Sequence, residues 1–367
     1  MNIPLIPRLT LASAAAMAIV TAAAPAAAQE RREEMPVTPA LADSVARAAA
    51  DHVASKYIFV EKGDEAARLV RRGVRAGRYR ALATASALTD SLTADLRRAT
   101  GDAHLQAVYS VQPRTAPPSA GRTAAEMARD REEAIFRNYG FMALTRMDGN
   151  VGYLEMVRFD DPALAGATLA SAMEWLAGTD ALIVDLRYNG GGSAAMVALV
   201  ASYFLPEATH ISTLHHRDPA DDAQLWTLPH VAGPRYLDRP VYLLVSGRTF
   251  SAAEALAYDL KAQGRVTIVG ENTRGGANPG GWQMIGTHFG VFVPTARVES
   301  AVTHGNWEGV GIRPDLAVPA AQARKAAHRA ALERLLAERA DADRAELWRE
   351  ALEMLRADDA RAATAAR

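Results

Sequence analysis

The chain has 367 residues and a mass of 39.2 kDa, with 49% hydrophobic and 23% charged residues, a composition that excludes a disordered or collagen-like chain. Lys and Arg number 41 against 42 Asp and Glu, so the net charge is -1; the basic excess that phosphate-backbone binding demands is missing, and no nucleic-acid partner is expected. Without a single cysteine, thiol catalysis, thiolate zinc sites and disulfides are ruled out.

In chain order, Arg8 precedes an apolar run from Leu9 to Ala24 that closes on the small residues Ala26, Ala27 and Ala28. Residues 1–28 are therefore predicted to be a secretory signal peptide cut near Ala28, and the protein to be exported, periplasmic or secreted. No further stretch of about 18 apolar residues follows, so no stable membrane insertion is expected once the signal is removed. Residues 29–40 are polar and Pro-punctuated and read as a flexible leader.

From residue 41 to 104 apolar residues recur at helical spacing (Leu41, Val45, Ala48, Ala49, Val53; then Leu88, Leu92, Leu96), which predicts an N-terminal helical domain. Residues 105–320 then alternate. ALIVDLR (181–187) and RPVYLLVS (239–246) are continuous apolar runs of the kind buried strands show, and a helical segment follows each. RVTIVGE (265–271) and GVFVPTARV (290–298) add two more strands, giving an α/β core. Residues 321–367 form a C-terminal helical extension with Leu332, Leu335, Leu336, Leu347, Leu352 and Leu355 facing inward.

Ser251 stands between the strand 239–246 and the helix opening at Ala252, where open α/β sheets put their active sites. The helix N-terminus offers the N–H of Ala252 to a forming oxyanion. The competing reading is a cap: Ser251-Ala-Ala-Glu254 also fits a capping box. Asn189-Gly190-Gly191-Gly192, directly after the strand 181–187, is a second place where backbone can approach a ligand, or a plain tight turn. His210, His215 and His216 lack the helical pair and carboxylate of a zinc protease, so no metal and no cofactor are expected, and these three are read as surface or loop residues. His104, in Gly-Asp-Ala-His-Leu, reads by default as a buried, satisfied histidine.

The motifs Gly-Asp-Ala-His-Leu, ALIVDLRYNGGGS, TFSAAEALAYDL, RVTIVGENTRGG and WEGVGIRPD occur in this order from residue 101 to 315. Together they resemble the serine peptidase family of tail-specific (C-terminal processing) proteases, tricorn protease and interphotoreceptor retinoid-binding protein. The resemblance implies an α/β fold with a crotonase-like layered core, and a peptide or unfolded protein as substrate. It implies Ser251 as nucleophile, with the N–H of Ala252 and that of Gly191 or Gly192 as oxyanion hole. The processing branch carries its base, a Lys, about 25 residues beyond the Ser, and this chain has Gly276 there. The resemblance therefore points to the tricorn-like branch, with His104 as base and Glu308 as its carboxylate. About 45 residues separate His104 from Val151, too few for the PDZ domain that processing proteases insert. A His base would have a pKa near its reference of about 6.5, raised if Glu308 lies close. The alternative function is a non-catalytic module binding apolar ligands or peptides on the same fold; acyl-thioester chemistry is a third, disfavoured by the signal peptide.

Overall fold

The computed structural model describes residues 34–113, 123–339 and 343–365; the signal peptide expected over residues 1–28 lies outside the described residues. Among the described residues no helix is long and apolar enough to cross a membrane.

Two of the N-terminal helices open on threonine caps. Thr38 accepts the N–H of Leu41 (3.2 Å) ahead of Pro39, and α1 runs over Pro39–Lys56. After α2 (Val60–Arg75), Thr84 caps α3 (Ala85–Thr100), which Gly101 ends in the left-handed conformation, φ 75°. The chain continues through β1 (Gln106–Tyr109), α4 (Ala124–Phe136), β2 (Phe141–Met147), β3 (Val151–Met156), α5 (Pro162–Leu176), β4 (Ala181–Asp185), α6 (Ala194–Phe204), β5 (His210–His216) and β6 (Ala223–Trp226). It ends with β7 (Val241–Val245), α7 (Ala252–Ala262), β8 (Thr267–Gly270), β9 (Gly280–Ile285), β10 (Phe289–Pro294), β11 (Ala296–Ser300), β12 (Leu316–Ala317), α8 (Ala320–Glu338) and α9 (Ala345–Ala365).

The central sheet has the order β12-β8-β7-β4-β3-β2, parallel throughout except for the antiparallel β2 at one edge, so the fold is α/β on a mixed sheet. Its inner strands β4 and β7 are buried along their whole length because both faces are covered. Leu182, Val184, Leu243 and Val245 pack under α5, α6 and α7, while the alternate residues Ala181, Ile183, Tyr242 and Leu244 pack under α8 and α9. The sheet β11-β5-β6 closes over the first of these layers through Ile211 and Val298.

A third sheet, β1-β10-β9, shares its core with the N-terminal helices: Ala107, Phe289, Val291 and Val293 are buried with Val53, Val70, Leu88 and Leu92. The break expected between residues 104 and 105 is therefore not a break in packing. Strands from the far part of the chain complete the helical unit, which cannot bury its apolar face alone. The run 290–298, expected as one strand, is two strands in two sheets, because Pro279 O takes the N–H of both Thr295 (2.9 Å) and Ala296 (3.1 Å) and turns the chain. His210, His215 and His216 lie on the strand β5 and not in a loop, and all three are partly exposed there, in keeping with the expected surface position.

The C-terminal helices are anchored at Trp348, which is 1% exposed and donates from Nε1 to Asp180 (3.3 Å), an aspartate also held by Arg344 (2.5 Å). Replacing Trp348 by Ala should cost about 3–5 kcal/mol of stability in urea denaturation; a loss below about 1 kcal/mol would show that this layer contributes little to the core.

Candidate active site

The loop after β7 and the loop after β4 are laced to each other. Ser246 donates to Arg187 O (2.5 Å), Thr249 Oγ1 donates to Leu186 O (2.8 Å), and the N–H of Phe250 donates to Asn189 O (3.1 Å). This lacing brings Ser251 against the glycine loop and fixes it in an unusual backbone conformation, φ 56° and ψ -124°. Positive φ at a residue with a Cβ costs of order 1–3 kcal/mol and persists only where the surroundings over-determine it. The determinant is Glu254, fully buried in the first turn of α7. It accepts the N–H of Ser251 (2.9 Å), Thr273 Oγ1 (2.5 Å) and the N–H groups of Gly275 (2.7 Å) and Gly276 (2.9 Å). Burial raises the Glu254 pKa, and these donors hold it down.

Gly191 and Gly192 have φ of 101° and 143°. A Cβ on Gly191 would lie 2.8 Å from Ser251 Cβ and 2.9 Å from the Ala252 nitrogen, and one on Gly192 would lie 2.0 Å from Phe159 O. The two positions are thus closed to any side chain. The N–H of Gly191 donates to Asn189 Oδ1 (2.8 Å), which engages one of the two donors the sequence offered.

His104 follows the Gly101 turn, whose carbonyls are clamped by Arg97 to Leu105 O (2.9 Å) and Ala103 O (2.7 Å). Its ring lies 4.4 Å from that of Phe250, the residue before Ser251, and 5.8 Å from Phe292 on β10. Neither ring nitrogen has a hydrogen-bond partner, so the satisfied core histidine of the default reading is absent. Burial pushes the imidazole pKa down to about 4; Asp102 pulls it up, and Arg274 and Arg97 push it further down. The expected pKa near or above the reference value is thus reversed, because desolvation outweighs the carboxylate.

Glu308 enters from the loop before β12, with Oε2 accepting the N–H of Ala277 (2.6 Å) and of Asn278 (3.2 Å) and Oε1 unpartnered. Burial and then Asp102 push its pKa up to about 7. Asp102, His104 and Glu308 bring one ligand-type atom each to within 4.8 Å of the other two, the one such set among the described residues. Both oxygens of Asp102 already accept from donors, which suits proton handling better than cation binding. Lys261, the nearest Lys after Ser251, pairs with Asp315 (2.7 Å) and Arg313 O (2.7 Å). The space beside Gly276, where the processing branch has its Lys, is filled: a Cβ there would lie 2.2 Å from Phe250 Cε2 and 2.8 Å from His104 Cε1.

The residues that sequence reasoning missed are Asp102, Asn278, Thr273 and Phe250. Asp102 alone carried a local signal, two places before His104 in Gly-Asp-Ala-His.

Two family models cover most of the chain with these residues inside them. Residues 150–318 match peptidase family S41, and residues 33–138 match the N-terminal domain of that peptidase in eukaryotic IRBP. The chain belongs to peptidase family S41.

Among curated relatives, this S41 chain is 31% identical over 173 residues to a carboxyl-terminal-processing protease of Synechocystis sp., covering 47% of this chain and 38% of that protein. It is 28% identical over 171 residues to the chloroplastic carboxyl-terminal-processing peptidase 2 of Arabidopsis thaliana, covering 46% of this chain and 32% of that protein. The match thus spans about two fifths of the length of these relatives or less. Among solved structures, a lipoprotein from Streptococcus agalactiae superposes with a TM-score of 0.53 at 13% identity, over 82% of this chain and 98% of that one, a likeness of fold.

The crowding at Gly276 is directly testable. Gly276→Ala should cost about 1–3 kcal/mol in denaturant and displace the His104 and Phe250 ring resonances in NMR spectra. An Ala that leaves both unchanged would mean that the space is open.

Proposed function

We propose that the chain is an exported serine peptidase on a crotonase-like core, acting on peptides or unfolded protein through Ser251. The observation that carries the reading is the strained Ser251 at the start of α7, pressed against Gly191 with the imidazole of His104 packed on the preceding Phe250. A helix cap has no need of positive φ, whereas a nucleophile held on a sharp strand-to-helix turn presents its Oγ away from its own helix.

In this reading His104 takes the proton of Ser251 Oγ as the oxygen attacks the scissile carbonyl carbon. The carbonyl oxygen becomes an oxyanion between the N–H of Ala252 and that of Gly192, Gly191 being committed to Asn189. Collapse of this intermediate breaks the C–N bond and the imidazolium gives its proton to the leaving amine. Water, deprotonated by the same imidazole, then releases the acyl group and restores Ser251. Each oxyanion donor contributes about 2.7–4 kcal/mol to the transition state.

Beside Ser251 lies an apolar pocket of about 80 Å³, lined by Val197, Leu214, Leu225, Ala255, Val298 and Trp307. That is roughly half the ~150 Å³ of an apolar cavity that holds benzene. It suits Ala, Val or Leu on the acyl side of the scissile bond and excludes aromatic or charged side chains.

Hydrolysis of a peptide library with Ala, Val, Leu, Phe and Lys at that position, alongside fluorophosphonate labelling, tests both parts. Cleavage after the aliphatic residues at least about 10-fold faster than after Phe, with labelling and turnover lost in Ser251→Ala, is the expected result. A folded protein that neither labels nor hydrolyses, and that binds apolar ligands intact, would establish the binding module instead.

A further inference from the structure

We propose that Asp102, and not Glu308, is the carboxylate that orients His104, acting as a positioning residue for the base. This rests on the serine peptidase reading of Ser251. Three observations carry it. The first is distance: Nδ1 of His104 stands 3.9 Å from Asp102 Oδ1, in ion-pair range, while Glu308 stands farther from the imidazole, inside 4.8 Å. A carboxylate on the Nδ1 side holds the proton there and leaves the Nε2 lone pair for the Ser251 hydroxyl.

The second is attachment. Asp102 Oδ1 accepts the N–H of His104 itself (2.9 Å), so acid and imidazole sit on one turn and move together. Asp102 Oδ2 is fixed from two other elements, by the Tyr57 hydroxyl at the end of α1 (3.1 Å) and by Asn278 Nδ2 (3.0 Å). Three donors hold this carboxylate, which is 1% exposed, in one position. Glu308, by contrast, is anchored through Oε2 to a different loop and keeps Oε1 buried without a donor, the arrangement of a carboxyl that carries its own proton.

The third is charge. The groups around the imidazole are Arg97 from α3, Arg274 from the loop after β8, the two acids and the Tyr57 hydroxyl. The two arginines and burial all oppose an imidazolium. Among the described residues Asp102 is the one neighbour that pulls the imidazole pKa up, and on the same turn it lets His104 accept a proton in the transition state once substrate closes the 3.9 Å gap to hydrogen-bonding distance.

Asp102→Asn and Glu308→Gln separate the two acids. Asp102→Asn should lower kcat by about 10³–10⁴ with KM nearly unchanged, as loss of the tautomer-setting acid does. Glu308→Gln should retain kcat within about 10-fold. In ¹⁵N spectra of the Ser251→Ala protein, the neutral His104 ring should carry its proton on Nδ1, and Glu308→Gln should leave that tautomer in place. The pH profile adds a readout. A base must be neutral to act, so activity falls as pH drops through the base's pKa. With Asp102 as partner, wild-type kcat/KM should hold from pH 7 to about pH 5. An acid limb near 7, where Glu308 titrates, would make the ionised Glu308 the partner. Should Asp102→Asn not fold, the ¹⁵N tautomer and the Glu308→Gln rate still decide. An Nε2-protonated ring, or a Glu308→Gln loss of about 10³ or more, overturns the assignment. Wild type that labels with no fluorophosphonate overturns the peptidase reading, whereas the tautomer test of Asp102 reads out without turnover.

Discussion

A single buried carboxylate organises this molecule. Glu254 has no solvent to share its charge with and takes four donors instead: one from Ser251 and three from the segment 273–276. Leaving such donors or such a charge without a partner costs about 3–5 kcal/mol, which exceeds the strain at Ser251. The backbone therefore accepts positive φ at that residue because the alternative is worse. The loop so captured then does the next piece of positioning, since its continuation supplies Ala277 and Asn278 to Glu308 and the Asn278 side chain to Asp102. It also packs Gly276 O against the indole N–H of Trp307 (2.9 Å), the wall of the apolar pocket.

The same frame accounts for the proposed use of a histidine from the N-terminal part of the chain. The volume beside Gly276 holds the rings of Phe250 and His104, so a side chain at that position and an imidazole at 104 exclude each other. A base delivered from the N-terminal helices must be held by packing rather than by sequence neighbours of Ser251. The β1-β10-β9 sheet does this: it shares its core with α1, α2 and α3, and Phe292 of β10 stacks on His104. Dividing the chain into a helical accessory and a catalytic core misses that the two are joined through His104, the proposed base.

Much of this was legible in the sequence, and the boundary between legible and illegible is physical. The strands β4 and β7 announce themselves as unbroken apolar runs because both faces are covered, and the glycines and Ser251 follow directly from where those strands end. The pairing of β1 with β10 left no local trace, since the two are separated by some 180 residues, and the run 290–298 looks like one strand until Pro279 turns it. Glu254 was legible as a cap, which is only one of its four bonds. The role proposed for Asp102 was hidden because it depends on Tyr57 and Asn278, and the direction of the His104 pKa because desolvation is a property of the assembled core.

The central claim is that this buried frame presents Ser251 to a carbonyl with the oxyanion donors already in place. The most direct measurement is a crystal structure of the protein after reaction with a peptidyl phosphonate that carries a valine side chain next to phosphorus. The account predicts a bond from Ser251 Oγ to phosphorus and the valine side chain between Leu214, Val298 and Trp307. It also predicts a phosphoryl oxygen about 2.7–3.1 Å from the nitrogens of Gly192 and Ala252. An unmodified Ser251, or an adduct whose oxygen faces away from both N–H groups, would contradict it.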